Sequence, residues 1–422
     1  MNTPKILTAG ILAAASLVTT ASAVTNVYIT GSTAFRTAAS NAISTLVGAT
    51  PVAVDSSATL ASYQGANAQT WSTASFFVQT SWSGSAAGVQ TVSNSVTTVR
   101  FLPAANVGNT SADPRNTTNP ADTHTPDICF ADCQQASTAF NTNVLPNYDA
   151  VGVVTFTFAG SNGFPAGQSM TNKVFSAMWG NGIGALPLSF ITGAADSAGN
   201  FESTLNPAGL IPGTAANKSF VYATGRDPDS GTRITALAET GFGVANTTTQ
   251  WKPTPNGSGT ITSMVQYPGN VTINAFPYTT GGGESSGGSL RAYLTNSLGA
   301  GALQEGESGP SYLVTYLGIS DYRAVATGAI ADTGLNGTDA TGRPAVALNY
   351  NGVPFSIAGT ENGSYTFWGY EYIGARVAST FYTSLRNTIQ GSTTASLLPN
   401  ISLKDMQVQR GTDGGLISSR NF

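Results

Sequence analysis

Apolar runs that end in turns of Gly, Ser and Thr, each followed by a helical pattern, recur along this chain and fix the class of fold open to it. Val27-Tyr28-Ile29 runs into Gly31-Ser32-Thr33. Phe35, Ala38, Ala39, Ala42, Ile43, Leu46 and Val47 then fall on one face at helical spacing. Ser32 or Thr33 stands where a cap for that helix belongs. A strand over Ser75 to Thr80 leads into Ser83-Gly84-Ser85-Ala86-Ala87-Gly88, and Phe220 to Ala223 leads into Thr224 to Thr232 with Ile234, Leu237 and Ala238 turned inward. Val271 to Phe276 is followed by Gly281 to Gly288 and an apolar run from Leu290 to Leu294. Strands alternating with helices are the mark of an α/β protein.

Further elements follow from the same reasoning. Asp127 to Asp132 reads as a short apolar strand closed by an acid. Val151 to Phe158 is a continuous apolar run, which predicts a buried parallel strand. Thr171 is placed to cap a helix through Val174, Ala177 and Met178. Tyr312 to Leu317 and Tyr365 to Tyr370 read as strands, and Ile373 to Ile389 as a late helix.

The chain has 422 residues and is 41% hydrophobic, enough for two lobes rather than one. Only 9% of its residues are charged and the net charge is −4. No basic cluster invites nucleic acid or an anionic membrane surface. Residues 1–23 read as a secretory signal: Lys5, an apolar stretch from Ile6 to Val18, and Ala21-Ser22-Ala23 as the cleavage site. The stretch is shorter than a membrane span needs, and the mature chain is predicted to be exported to the periplasm, the extracellular space or the cell surface. Cys129 and Cys133 then enter an oxidising compartment, and a local disulfide is the expectation. With one histidine, His124, to join them, no metal site is expected.

Gly-rich turns let backbone N–H groups approach an anion, and a helix starting there adds its positive end. Ser32, Thr33, Ser85, Ser230, Gly231 and Thr232 are the predicted donors. Arg226 can add a charged fork. Asp132 is the odd member, since a carboxylate repels an anion unless the ligand keeps a proton to donate to it. Phosphate does so at neutral pH; sulfate does not, and would leave the acid facing a bare oxygen.

At these residues the chain resembles the PstS-type phosphate-binding proteins of the type 2 periplasmic-binding-protein fold. Gly31-Ser32-Thr33 follows the first strand, Gly84 to Gly88 looks like the family's second turn, Asp127 and Asp132 fit its Asp-x4-Asp strand end, and Arg226 with Ser230-Gly231-Thr232 fits its Arg-x3-Ser-Gly-Thr signature. Pro228 stands where the family usually has Asp, Cys133 replaces a small residue, and the loop from Asn106 to Thr125 is long. The resemblance implies residues 24–150 plus 321–422 as lobe I and 151–320 as lobe II, with the ligand between them. It implies a solute-binding protein for phosphate or a similar oxyanion, handing its cargo to an ABC transporter permease, with no catalytic residue and no cofactor. Two other readings are weighed against it. One is a cell-surface protein that reuses the fold. The other is a secreted hydrolase built on Gly283-Glu284-Ser285-Ser286-Gly287, whose pattern requires a histidine after Ser285, whereas His124 precedes it. Trp179, Trp251 and Trp368 are expected in the core.

Overall fold

The computed structural model describes residues 24–48, 50–54, 60–65, 75–94, 99–102, 123–193, 220–256, 259–298, 311–323, 337–338 and 344–420. The predicted signal in 1–23 and most of the 106–125 loop lie outside these residues.

The elements that build the site are, in chain order, β1 (Thr25–Gly31), α1 (Arg36–Val47), β2 (Phe76–Ser81), α2 (Ser85–Asn94), β3 (Ile128–Ala131), β4 (Asn147–Gly160), α3 (Asn172–Trp179), β5 (Phe220–Ala223), α4 (Gly231–Glu239), α5 (Gly287–Leu294), β6 (Tyr312–Gly318), β7 (Trp368–Ala375), α6 (Thr380–Gly391), β8 (Val408–Arg410) and β9 (Ile417–Ser419). The class is mixed α/β, as the sequence predicts. The predicted inward face of the first helix holds in full: Ala38, Ala39, Ala42, Ile43, Leu46 and Val47 are its buried residues, and Phe35 is wholly buried just before it. Thr171 caps α3, its hydroxyl accepting from the Val174 N–H at 3.2 Å. Trp179 and Trp368 are fully buried, while Trp251 is partly exposed.

Among the described residues, one sheet of thirteen strands runs through the protein, and its central path is β5-β6-β4-β7-β3-β1-β2. Towards each end of this path the pairing is parallel: β1 pairs in parallel with β2 and β3, and β5 with β6. The middle is antiparallel, with β7 lying between β3 and β4, and β4 reaching β6. The predicted parallel setting of the Val151 to Phe158 run is therefore corrected. Its partners are antiparallel, and the run is mostly apolar because it is buried from Val151 through Gly160. The boundary drawn between residues 150 and 151 falls inside this strand.

The registers place the strand ends. Ala131, the last residue of β3, pairs with Tyr372, which pairs in turn with Ala150 of β4. Gly318, the last residue of β6, pairs with Phe156 of β4. The carboxyl ends of the two parallel regions thus point at each other along β4, from Ala150 to Phe156, across roughly 20 Å at about 3.3 Å per residue. Carboxyl ends of strands are where open α/β sheets bind ligands.

Two further expectations change. The segment from Ile373 is not helical at its start: Trp368–Ala375 is a strand, and the helix begins at Thr380 after its cap Ser379. Alternating aromatics held between β3 and β4 favour the strand there. Cys129 and Cys133 are free and buried, so the expected disulfide is absent. Cys129 lies inside β3, and extended chain at about 3.3 Å per residue carries it away from Cys133 faster than the roughly 7 Å Cα separation of a disulfide allows.

Candidate anion-binding site

The site is assembled from turns at the facing strand ends. After β1 the chain turns at Gly31, whose φ of 118° suits glycine, and a Cβ there would lie 2.0 Å from the Phe130 carbonyl oxygen. Ser32 is thereby buried against β3, its N–H donating to that same carbonyl at 2.8 Å. Neither Ser32 nor Thr33 is the cap of α1. The cap position is Phe35, and the Ser32 hydroxyl accepts from the Phe35 N–H at 3.4 Å. Thr33 is partly exposed. After β2, Gly84 turns the chain so that Ser85 opens α2.

Asp132 follows β3 and is 1% exposed. Its carboxylate accepts from the Ser85 hydroxyl on one side and from the Thr232 hydroxyl at 3.3 Å on the other. The Thr235 hydroxyl donates to its backbone carbonyl at 2.9 Å. Burial pushes the carboxyl above the usual range, while Ser85 and the Arg226 charge draw it back. Asp132 therefore sits at the start of α4 with hydroxyls from both ends of the sheet upon it. Gly231 makes that approach feasible: a Cβ there would lie 1.7 Å from Asp132 Oδ1 and 2.6 Å from Ser85 Oγ. The two sides also meet through backbone, with the Ala86 N–H donating to the Asp229 carbonyl at 3.0 Å.

The turn after β5 is fixed by its own contacts. Ser230 caps α4, accepting from the Arg233 N–H at 3.3 Å. Arg226 is 2% exposed, and it donates from Nε to the Glu284 carbonyl at 3.1 Å and from Nη2 to the Ser285 carbonyl at 2.9 Å. The guanidinium thus holds the Gly281 to Ser286 turn through two nitrogens and has Nη1 outside those bonds. Arg233, which the sequence reading passed over, donates to the carbonyls of Arg226 at 3.1 Å, Gly281 at 2.7 Å and Thr280. Gln250 adds bonds to the carbonyls of Arg226 and Gly282. Asp229 accepts from the Tyr278 hydroxyl at 2.5 Å, and burial raises it to about 7; Asp227 beside it is raised to about 6, also by burial.

No family model and no curated protein matches this chain. Solved structures do resemble it in outline. One from Clostridium perfringens, described as a phosphate ABC transporter substrate-binding protein with bound phosphate, has a TM-score of 0.44 and 11% identity, covering 90% of this chain and 98% of its own. An ABC-type phosphate transport receptor from Vibrio cholerae has a TM-score of 0.42 and 9% identity, covering 89% and 99%. PstS from Borrelia burgdorferi has a TM-score of 0.35 and 10% identity, covering 89% and 98%.

Of the predicted site residues, Ser85, Asp132, Gly231 and Thr232 are brought into mutual contact, with Ser32 buried behind them and Ser230 capping the same helix. Asp127 lies at the far end of β3, where it accepts from the Tyr28 N–H at 2.9 Å. Ser285 contributes its carbonyl to Arg226, and the ring partners of His124 are Tyr28, stacked at 4.2 Å, and Phe101. Ser285 and His124 thus answer to different partners, one in the turn before α5 and the other beside β1. Among the described residues, no helix is long and apolar enough to cross a membrane, and no cluster of His, Cys, Asp and Glu could hold a metal.

The sequence reading missed Glu371. It lies in β7 next to Tyr372, the partner of Ala131, and its carboxyl feels the charge of Asp132 just past the end of β3. Its carboxyl is fully buried, and neither oxygen has a well-formed hydrogen bond.

Proposed function

We propose that this is an exported solute-binding protein that captures a small oxyanion, phosphate first, between two lobes made of residues 24–150 with 321–422 and residues 151–320, and passes it to an ABC transporter without catalysing a reaction. One observation carries the reading: a buried carboxylate, Asp132, stands at the start of α4 where hydroxyls from both ends of the sheet converge. A helix start with hydroxyl donors suits an anion. The carboxylate among them suits an anion that still owns a proton, because it accepts the hydrogen bond such a ligand offers. Calorimetry on the mature protein tests this. Phosphate is expected to bind and sulfate to bind at least about a hundredfold more weakly, the loss that follows when a buried acceptor is left unpaired. Absence of phosphate binding overturns the reading.

One observation favours the second reading, a cell-surface protein that reuses the fold. Two nitrogens of Arg226 already serve backbone carbonyls, so the strongest cation of the site is partly committed to structure. An Arg226→Ala protein that stays folded and keeps its place in a surface layer, with no oxyanion bound by either form, supports that reading.

A further inference from the structure

Glu371 asks for an explanation on energetic grounds. A carboxyl held out of water with no more than a loose contact from the Ser32 hydroxyl costs several kcal/mol. The groups facing it are Asp132 and the thiols of Cys129 and Cys133, from β3 and the bend after it, and the Ser32 hydroxyl from the turn after β1. None of them is a cation. Packing gives no reason for an acid here either, because its strand neighbours Tyr370, Tyr372 and Ile373 are apolar or aromatic. What lies beside it is the cluster of Ser32, Ser85, Asp132 and Thr232.

We propose that Glu371 is a second acid of the oxyanion site and selects a ligand that brings two acidic hydrogens, the class of dihydrogen phosphate, rather than one. The inference rests on the oxyanion reading above and deepens it. Asp132 takes one hydrogen bond from the ligand and Glu371 the other. The same complex forms when a neutral Glu371 meets the hydrogen phosphate dianion and keeps its proton as the donor. In both descriptions, the bound state holds one proton more than a site with Asp132 alone. Burial, the largest influence on the Glu371 carboxyl, and the Asp132 charge both push it well above its ordinary range, and the Ser32 hydroxyl opposes them. Both push the site towards holding a proton of its own. Once free Glu371 and free phosphate have both lost the shared proton, complex formation must take it from water. Affinity then falls about tenfold for each pH unit.

The experiment is phosphate calorimetry at about pH 6, 7, 8 and 9 on the mature protein and on Glu371→Gln, whose amide remains a donor at every pH. Wild type is expected to lose affinity with rising pH more steeply than Glu371→Gln, towards the tenfold limit once free Glu371 has lost its proton, and Glu371→Gln to stay level between about pH 8 and 9. A wild type that binds phosphate without that slope, or a Gln variant that retains it, overturns the role of Glu371 and leaves the oxyanion reading standing. No phosphate heat at any pH overturns both. Thermal unfolding without ligand gives a second readout. The folded acid holds a proton that the unfolded chain releases near its ordinary pKa, so the stability from this group is full at acid pH. It drains away as pH rises through the folded value. Wild type is therefore expected to lose Tm with rising pH relative to Glu371→Gln, and parallel Tm curves overturn the inference. Glu371→Asp keeps the acid but withdraws it by one methylene. It should bind phosphate at least about tenfold more weakly with the slope intact, and unchanged affinity counts against the proposal.

Discussion

Replacing Arg410 with Ala should cost about 3–5 kcal/mol at neutral pH, the usual penalty for stripping one partner from a buried ion pair, and should lose much of that cost in mild acid. Arg410 in β8 reaches Glu239, the last residue of α4, with Nη1 2.7 Å from Oε2 and with side chains only 1% and 7% exposed. Its Nη2 donates to the Thr366 carbonyl at 2.7 Å, and its guanidinium carbon lies 4.0 Å from the Trp368 ring centroid. Glu239 also accepts from the Thr366 hydroxyl at 2.5 Å. Burial pushes the Glu239 carboxyl upward, and the charge of Arg410 is the main force drawing it back. With that charge gone, the cheapest course is for Glu239 to take a proton. At pH 7 this costs about 1.4 kcal/mol for each of the roughly 2.7 pH units above an ordinary glutamate, or about 3.7 kcal/mol. At pH 5 the same term shrinks to about 1 kcal/mol, leaving mainly the lost contact with Trp368, worth on the order of 1 kcal/mol. Urea unfolding of wild type and Arg410→Ala at both pH values measures the difference. Adding Glu239→Gln to Arg410→Ala should recover about half of the neutral-pH loss. A deficit under about 1 kcal/mol, or one of equal size at pH 5 and 7, refutes the idea that a buried charge pair anchors α4 at its far end.

Two other outcomes follow from the site. Gly231→Ala would drive a methyl group into the Asp132 carboxylate, 1.7 Å away on the present backbone, so phosphate affinity is expected to fall at least a hundredfold while circular dichroism stays near wild type; calorimetry decides it. Asp227 and Asp229 hold protons up to about 6 and about 7, whereas an unfolded aspartate releases its proton near pH 4. Their contribution to stability is thus complete in acid and is lost as pH rises from about 4 to 7. Asp229→Asn should flatten the fall of Tm across that window, and a wild-type Tm that climbs from pH 5 to 7 counts against this account.

Much of the architecture was legible because its signals are local. The Gly-Ser-Thr turns stand directly at strand ends, and the helix faces of α1 and α4 show in their spacing, though in α4 it is Ala236 rather than Ala238 that is fully buried. Ser85, Asp132, Gly231 and Thr232 could be picked out since each stands at or just past a strand end, and the Gly/Ser/Thr segments there recur in order along the chain. The remainder depended on distant contacts. Nothing near Arg226 announces that its guanidinium will serve carbonyls 58 and 59 residues away. Glu371 was hidden because the aromatic run around it was split between a strand and a helix, so a charge in the middle of a buried strand passed as a boundary. The C-terminal hairpin of β8 and β9 carries no motif, yet it supplies Arg410 to α4, and its turn offers Asp413 to the Gln134 N–H at 2.8 Å beside the site.

The fourteen-residue strand β4 has a mechanical consequence. Its first part is laced to β7 and its last part to β6, so both ends of the sheet grip one continuous ribbon. Midway, Val153 exchanges both backbone hydrogen bonds with Ile401, 2.9 Å each way. A ribbon held like this is stiff along its length and yields most readily in torsion, since twist is the natural deformation of a strand. Any opening between the two sides would then be a small wringing motion that stores energy in the ladder and returns it, closer to a torsion spring than to a free hinge.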